Sequence, residues 1–168
     1  MNTTIRSIHA RRVWDSRGRP TVEAEVTLND GVMGRAIVPA GASKGPREAL
    51  ELRDGTARFG GLDVLRAVAN VNGEIARALV GHAADDQAAL DARLIALDGT
   101  DAKTRLGANA TLAVSMAAAH AVAAAQGVPL YEYIGGPEAT LLPMPQIQIF
   151  GGGAHAGRRV DVQDFMIV

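Results

Sequence analysis

The sequence contains no cysteine among its 168 residues, which excludes disulfide bonds and thiolate metal ligands and is compatible with a reducing compartment. Aromatic residues make up only 4% of the chain while hydrophobic residues make up 48%, so the core must consist of alanine, valine, leucine and isoleucine. The 17 basic and 18 acidic residues nearly cancel, which leaves no field to attract nucleic acid or an anionic membrane. We expect one domain, or one domain and part of another, with no nucleic-acid partner.

Signals for secretion or membrane insertion are also lacking. The first residues, Met1 to Arg6, contain no apolar run of the kind found in a signal peptide. The most apolar stretch, Ala108 to Ala125, is rich in alanine and includes the polar residues Asn109 and His120. We interpret it as a helix buried in a globular domain rather than a membrane span, and we expect a cytoplasmic protein.

The first forty residues have the pattern of three strands. Ile5–Trp14 is rich in branched residues, Thr21–Leu28 alternates as a half-buried strand does, and Val32–Val38 follows a hairpin signal at Asn29–Gly31. Asp15–Pro20 has the composition of a turn. The sequence therefore predicts an α+β fold that begins with a three-stranded antiparallel meander, covered by helices because a small sheet alone is marginally stable.

Helical patterns dominate the middle of the chain. The longest predicted helix ends at Gly127, and Gly73 predicts a kink or break in an earlier one. Helical segments are predicted at 48–54, 62–79, from 85–87 onward, 107–126 and 130–134. The apolar stripe of the second segment consists of Leu62, Leu65, Val68, Ala69, Ile75, Ala76 and Leu79.

The pattern changes after Gly135-Gly136-Pro137. A strand at Gln146–Phe150, a glycine-rich loop at 151–157 and a strand at Val160–Val168 follow. We predict domains at 1–137 and 138–168. We expect the second to be truncated, because the 28 residues from Leu141 onward are too few for an independent domain.

The segment Val38–Gly45 separates the third strand from the charged run. Its small residues allow backbone N–H groups to approach an anion, and Gly41 and Gly45 are candidate hinges. The alternative is an ordinary connector. Neither glycine-rich loop has the spacing of a phosphate-binding or dinucleotide-binding motif, so we give nucleotide binding little weight.

Seven short motifs carry a resemblance to a known family. They are Asp15–Glu23, Gly41–Ser43, Glu48–Gly55, Leu97–Thr100, Leu106–Ala110, Val128–Tyr131 and Gln163–Ile167. In this order and spacing the chain resembles the N-terminal part of the enolase family. The resemblance implies a meander with a helical cover, followed near Leu142 by the first two strands of an enolase-type α/β barrel.

The resemblance also implies a reaction. Enolases interconvert 2-phospho-D-glycerate and phosphoenolpyruvate, a step of glycolysis and gluconeogenesis, and Mg²⁺ stabilises the charge that develops. The lysine base, the acid and the carboxylate ligands of the first metal come from later parts of the barrel in this family. We therefore expect this chain alone to have no dehydratase activity, and the family implies a homo-oligomer, a dimer or larger.

The resemblance assigns roles to individual residues, each with a plainer structural alternative. The alternatives are a turn hydroxyl for Ser43, a solvated loop histidine for His155, a backbone-bonded strand amide for Gln163 and a solvated turn charge for Arg17. The implied roles are Mg²⁺ binding for Ser43, substrate binding for Gly41, Ala42 and Gln163, catalysis and substrate binding for His155 and Asp164, and a dimer contact for Arg17.

Several residues depart from the family pattern. Asp164 stands in place of glutamate, which withdraws the carboxylate by about 1.5 Å, and a misplacement of that size can cost about 100-fold in rate. Lys44 replaces a threonine, Gln148 and Gly151 replace asparagines, and Gln146 replaces an apolar residue. Two alternatives to an enolase therefore stay open: a paralogue acting on a related phosphonate or phospho-carboxylate, and a non-catalytic enolase-like fragment.

Overall fold

A computed structural model describes residues 2–41 and 45–168. Strands β1 (Ile5–Trp14), β2 (Pro20–Leu28) and β3 (Met33–Val38) form an antiparallel sheet in the order β1-β2-β3. The predicted meander and the α+β class are confirmed, with strand ends within one residue of those predicted.

Helices cover one face of this sheet, and a hairpin of two strands follows them. The helical elements are α1 (Leu65–Asn70), a π-turn (Val71–Ile75), α2 (Ala76–Leu79), α3 (Gln87–Asp98), α4 (Ala108–Gln126) and α5 (Leu130–Gly135), with short 3-10 turns at Arg58–Gly61 and Gly153–Ala156. The hairpin consists of β4 (Ile147–Gly151) and β5 (Asp164–Ile167). The domain boundary at 137/138 and the start of a barrel stay predictions.

Helix α4 forms the centre of the core by packing on β2 and β3. Its buried face is built almost entirely from alanine and valine, as the low aromatic content requires. A β-carbon on Gly34 of β3 would lie 2.1 Å from the backbone nitrogen of Ala121 and 2.3 Å from the carbonyl oxygen of Ala117. The helix backbone therefore rests directly on the strand backbone at this point.

The length and composition of α4 would allow it to cross a membrane, but 56% of its apolar window is buried inside the domain. Its predicted end is confirmed, because Gly127 adopts φ 71° and its N–H donates hydrogen bonds to the carbonyls of Ala123 and Ala124 in the last turn. The predicted start of α3 is also confirmed, since the Asp86 side chain accepts a 2.9 Å hydrogen bond from the Ala89 N–H.

The prediction of a helix at 48–54 is wrong. Leu50 instead donates its N–H to the Ala102 carbonyl at 2.6 Å and accepts from the Ala108 N–H at 2.8 Å. The Asn109 side chain bonds the N–H and the carbonyl of Leu52 at 3.1 and 3.0 Å. These partners occupy the backbone groups that a helix would use, so the segment lies extended along the start of α4.

The predicted stripe at 62–79 is correct in part, because Ile75 and Leu79 are buried and Val68 and Ala76 pack against the core. Leu65 and Ala69 are exposed, and the buried residues are Val64, Ala67, Val71, Ile75 and Leu79. The π-turn that contains Gly73 widens the helix by one residue where the sequence predicted a kink or break.

Strand β2 is more buried than its alternating sequence predicted. Thr21 and Glu23, which point away from the helices in an alternating strand, are both buried. Glu23 is covered by Arg11 of β1 at 2.5 Å and by Arg35 of β3 at 3.5 Å. The long arginine side chains therefore bury the second face of the strand.

A buried ion pair connects β1 to the segment before α1. The Arg12 guanidinium contacts both oxygens of Asp63 at 3.0 and 2.9 Å, and the Asp63 side chain is only 1% exposed. Burial alone would raise the pKa of Asp63. Hydrogen bonds from Arg12 and the Val64 N–H, together with the charges of Arg12 and Arg58, outweigh that effect, so the pKa lies below its ordinary 3.8.

We expect Asp63→Asn to lower the free energy of unfolding at pH 7 by about 3 kcal/mol, because Arg12 loses its buried partner. A carboxyl with a lowered folded-state pKa stabilises the fold above its ordinary pKa and loses that contribution as pH falls through the folded value. Stability of the unmodified chain should therefore decline below about pH 4, and less steeply in Asp63→Asn.

Urea unfolding at a series of pH values measures both effects. Glu74→Gln is the control, because the Glu74–Arg105 pair is exposed on both sides and its loss should change little. Equal effects of the two substitutions would contradict the role given to Asp63.

We expect Gly34→Ala to lower the free energy of unfolding by about 3 kcal/mol or more, because the added methyl group meets the backbone of α4. Gly73→Ala is the matched control, since its β-carbon would find only the Arg77 guanidinium at 3.8 Å. Thermal and urea unfolding measure the difference, and equal stability of the two variants would refute the backbone contact.

Candidate ligand-binding site

Two segments predicted to bind substrate meet at one cavity of about 580 Å³. Gly41, at the end of the segment that follows β3, and His155, in the glycine-rich loop, both line it. The rest of the wall comes from the turn after β1, from the residues that follow β3 and from the glycine-rich loop. These residues are Asp15, Ser16, Arg17, Arg19, Pro39, Ala40 and Ala154. The structure thus brings together two of the predicted residues that are far apart in sequence.

Asp15 organises the turn that forms one wall. Its Oδ1 accepts hydrogen bonds from the N–H groups of Arg17 and Arg19, both at 2.8 Å. The hydrogen bond from the Arg19 N–H, with those from Arg17 and its charge, outweighs desolvation and lowers the pKa of Asp15. Asp15 is therefore ionised at neutral pH and holds the turn closed.

Arg17 links this turn to the segment after β3. Its guanidinium contacts Asp15 Oδ2 at 3.1 Å and also donates to the Ala40 carbonyl. Arg17 thus fixes the residue before Gly41, a role that the sequence analysis missed. Its assignment to a dimer contact stays a prediction.

Arg19 adds a second cation to the same wall, although its sequence pattern predicted only part of a turn. In the described part of the chain its guanidinium makes no ion pair. Gly41 also lines a second cavity, of about 360 Å³, which lies between the residues that follow β3 and the start of α4. The extended segment at 48–51 forms one side of that cavity.

Gln163 directly precedes β5 and Asp164 begins it, so the predicted strand at Val160–Val168 is shorter than expected. Its first half is not a strand, because two of its backbone carbonyls accept hydrogen bonds from the glycine-rich loop. The Gly153 N–H donates to the Val160 carbonyl at 2.7 Å and the Gly152 N–H to the Gln163 carbonyl at 2.6 Å. Gln163 is thereby held beside the loop that carries His155.

The Asp164 carboxylate is placed by side-chain amides on both sides. Gln148 of β4 donates to one oxygen at 2.7 Å, and Gln163 donates to the other at 3.3 Å. In the sequence Gln148 is recognisable only as a departure from the family pattern, with no sign of its partner. Two aromatic rings, Phe150 and Phe165, stack at 4.0 Å and hold the two strands together.

The described residues do not form a metal site by themselves, since they include no cluster of three histidine, aspartate or glutamate side chains. Ser43, the predicted Mg²⁺ ligand, lies outside the described residues, as do Ala42 and Lys44. Their predicted roles stay predictions.

The fold is an α+β domain built on an antiparallel meander. The residues that follow its third strand line a ligand-sized cavity together with the loop between β4 and β5. Residues 5–134 match the family model described as the enolase N-terminal domain, and the chain belongs to this family. The family predicted from the seven motifs is confirmed.

Curated relatives agree with this assignment. The chain is 57% identical over 167 residues to Enolase 1 of Lactococcus lactis subsp. cremoris (strain SK11), which covers 99% of this chain and 40% of the relative. It is 58% identical over 164 residues to the enolase of Campylobacter jejuni subsp. jejuni (strain 81-176), with 98% of this chain and 40% of the relative covered. The chain thus spans about 40% of the length of the curated relatives it matches.

We expect Phe165→Ala to unpair β4 and β5, because loss of the stacked ring removes about 0.5–1.5 kcal/mol beyond its buried area from a two-stranded sheet that is marginal to begin with. Nuclear Overhauser contacts between Ile147 and Ile167, which are paired in register, should disappear.

The melting temperature of the N-terminal domain should stay the same, because Phe165 lies outside its core cluster. Phe165→Tyr keeps the ring and is the control. Persistence of the cross-strand contacts in Phe165→Ala would show that the ring stack does not hold the hairpin.

Proposed function

We propose that this chain supplies the N-terminal part of an enolase-type hydro-lyase, which interconverts 2-phospho-D-glycerate and phosphoenolpyruvate in glycolysis and gluconeogenesis. The family match and the relatives' names support this proposal. The structural observation that carries it is the shared cavity, in which Gly41 and His155 line one space although 114 positions separate them. Such a cavity suits a small phosphorylated carboxylate.

The site residues would have different roles toward the substrate. His155 would contact the reacting part of the substrate, and Gln163 and Asp164 would bind it from the start of β5. Gly41 and Ala42 would present backbone N–H groups to its anionic oxygens. Because Arg17 fixes the carbonyl of Ala40, Gly41 is held in place before substrate enters.

Mg²⁺ is part of this proposal, with Ser43 as one ligand and the remaining ligands supplied from outside this chain. The ion would stabilise negative charge that develops on the substrate. We propose that the assembled enzyme works in the cytoplasm as a homo-oligomer, and that this chain alone has no dehydratase activity.

The alternative is a paralogue that acts on a related phosphonate or phospho-carboxylate. The observation that favours it is the altered surrounding of Asp164, a short carboxylate held by Gln148. A substrate whose leaving group lies nearer the strand would suit this placement better than 2-phosphoglycerate. The non-catalytic fragment differs from both in predicting no turnover in any context.

We expect the purified chain to show no turnover of 2-phosphoglycerate with Mg²⁺, and a chimera with the rest of Lactococcus lactis Enolase 1 to be active. In that chimera His155→Ala should lower kcat/KM by about 100-fold or more. Absorbance of the phosphoenolpyruvate formed measures the rate.

His9→Ala is the control, because His9 is exposed on β1 and should not change the rate. A folded chimera that turns over a phosphonate analogue but not 2-phosphoglycerate would favour the paralogue. A folded chimera inactive on both would refute a catalytic role for this chain.

A further inference from the structure

The Asp164 carboxylate is held between two amide groups that come from different strands. Gln148 Nε2 donates to Oδ1 at 2.7 Å across the hairpin, and Gln163 Nε2 donates to Oδ2 at 3.3 Å from the preceding residue. The shorter bond is the one from Gln148, and it crosses from β4 to β5. Hydrogen bonds to an ionised carboxylate are stronger than those between neutral groups, so Gln148 is the main restraint on the Asp164 side chain.

Gly151 provides the space for this contact. Gly151 and Asp164 are paired in the register of the hairpin, so Gln148 must reach past Gly151 to meet the carboxylate. A β-carbon on Gly151 would lie 2.9 Å from Gln148 Nε2, so the Gln148 amide, at the far end of its side chain, would have to move aside. The φ of Gly151 lies outside the left-handed region, so the constraint here is space and not backbone conformation.

The arrangement leaves Asp164 able to act on a ligand. Each carboxylate oxygen has a second lone pair after accepting one amide hydrogen bond, so Asp164 can still accept from a substrate hydroxyl or water. What the two amides remove is the rotational freedom of an exposed side chain. A fixed orientation is what a group needs if it is to meet a reacting atom at a defined distance.

We propose that Gln148 is a positioning residue that orients Asp164, and that Gly151 favours this contact because it leaves room for the Gln148 amide. The effect on catalysis rests on the proposed function; the positioning itself does not. Gln148, Gly151 and Asp164 thus form one unit, in which the role of each residue depends on the other two.

The positioning is tested on the chain alone by nuclear magnetic resonance of glutamine side-chain amides. One Gln148 amide proton should resonate downfield of a free glutamine amide because of its hydrogen bond to Asp164, and that displacement should be lost in Asp164→Asn and in Gly151→Ala. Gln146 is the control resonance, because its side chain makes no hydrogen bond within the described ranges. A Gln148 amide proton that resonates where the Gln146 amide does, or that is unchanged in Gly151→Ala, would overturn the proposal.

The consequence for the reaction is tested in the active chimera by a double-mutant cycle. Gln148→Ala and Gly151→Ala should each lower kcat by about 10- to 100-fold with a smaller change in KM. Because both remove the same contact, the double variant should match either single variant within about 2-fold. Gly73→Ala is the matched glycine control and should leave kcat unchanged.

The two proposals fail in different ways. Loss of turnover in the unmodified chimera, with the Gln148 amide proton still displaced by Asp164, would refute the proposed function and leave the positioning supported. Independent, multiplicative effects of Gln148→Ala and Gly151→Ala on kcat would overturn the shared role of these two residues.

Discussion

The approach of α4 to the backbone of β3 at Gly34 determines much of the structure. Since no β-carbon separates Gly34 from Ala117 and Ala121, the helix lies close to the sheet and only small side chains fit between them. The low aromatic content and the alanine-rich helix therefore both follow from the short distance between α4 and the sheet. Because α4 lies so close to the sheet, Asn109 in its first turn is buried, and the Asn109 amide hydrogen-bonds the backbone of Leu52.

Local signals in the sequence predicted the elements whose partners are their own neighbours. The hairpin at Asn29–Gly31, the Asp86 cap and the Gly127 stop depend on a few consecutive residues, and the structure confirms the strands and helices that they bound. The segment at 48–54 depends on Asn109 and Ala102 instead. Its charges have a helical pattern, but no local property reveals that distant groups bind its backbone.

The same distinction applies to the candidate site. The resemblance selected Gly41 and His155, and both line one cavity. It did not reveal that Arg17 bonds the Ala40 carbonyl or that Gln148 bonds Asp164. These contacts join turns and strands whose approach is set by the folded chain, so spacing along the sequence carries no signal for them. Residues that line the cavity were easier to recognise from the resemblance than the residues that hold them in place.

The hairpin of β4 and β5 has a further physical consequence. In the part of the chain that the structure describes, each of its strands pairs on one side only, and the side chains of Ile147, Ile149 and Ile167 are more than half exposed. Unpaired strand edges with apolar side chains are templates for strand addition. At high concentration, copies of this chain should therefore associate through these edges, and a neighbouring strand that completed the sheet would suppress this association.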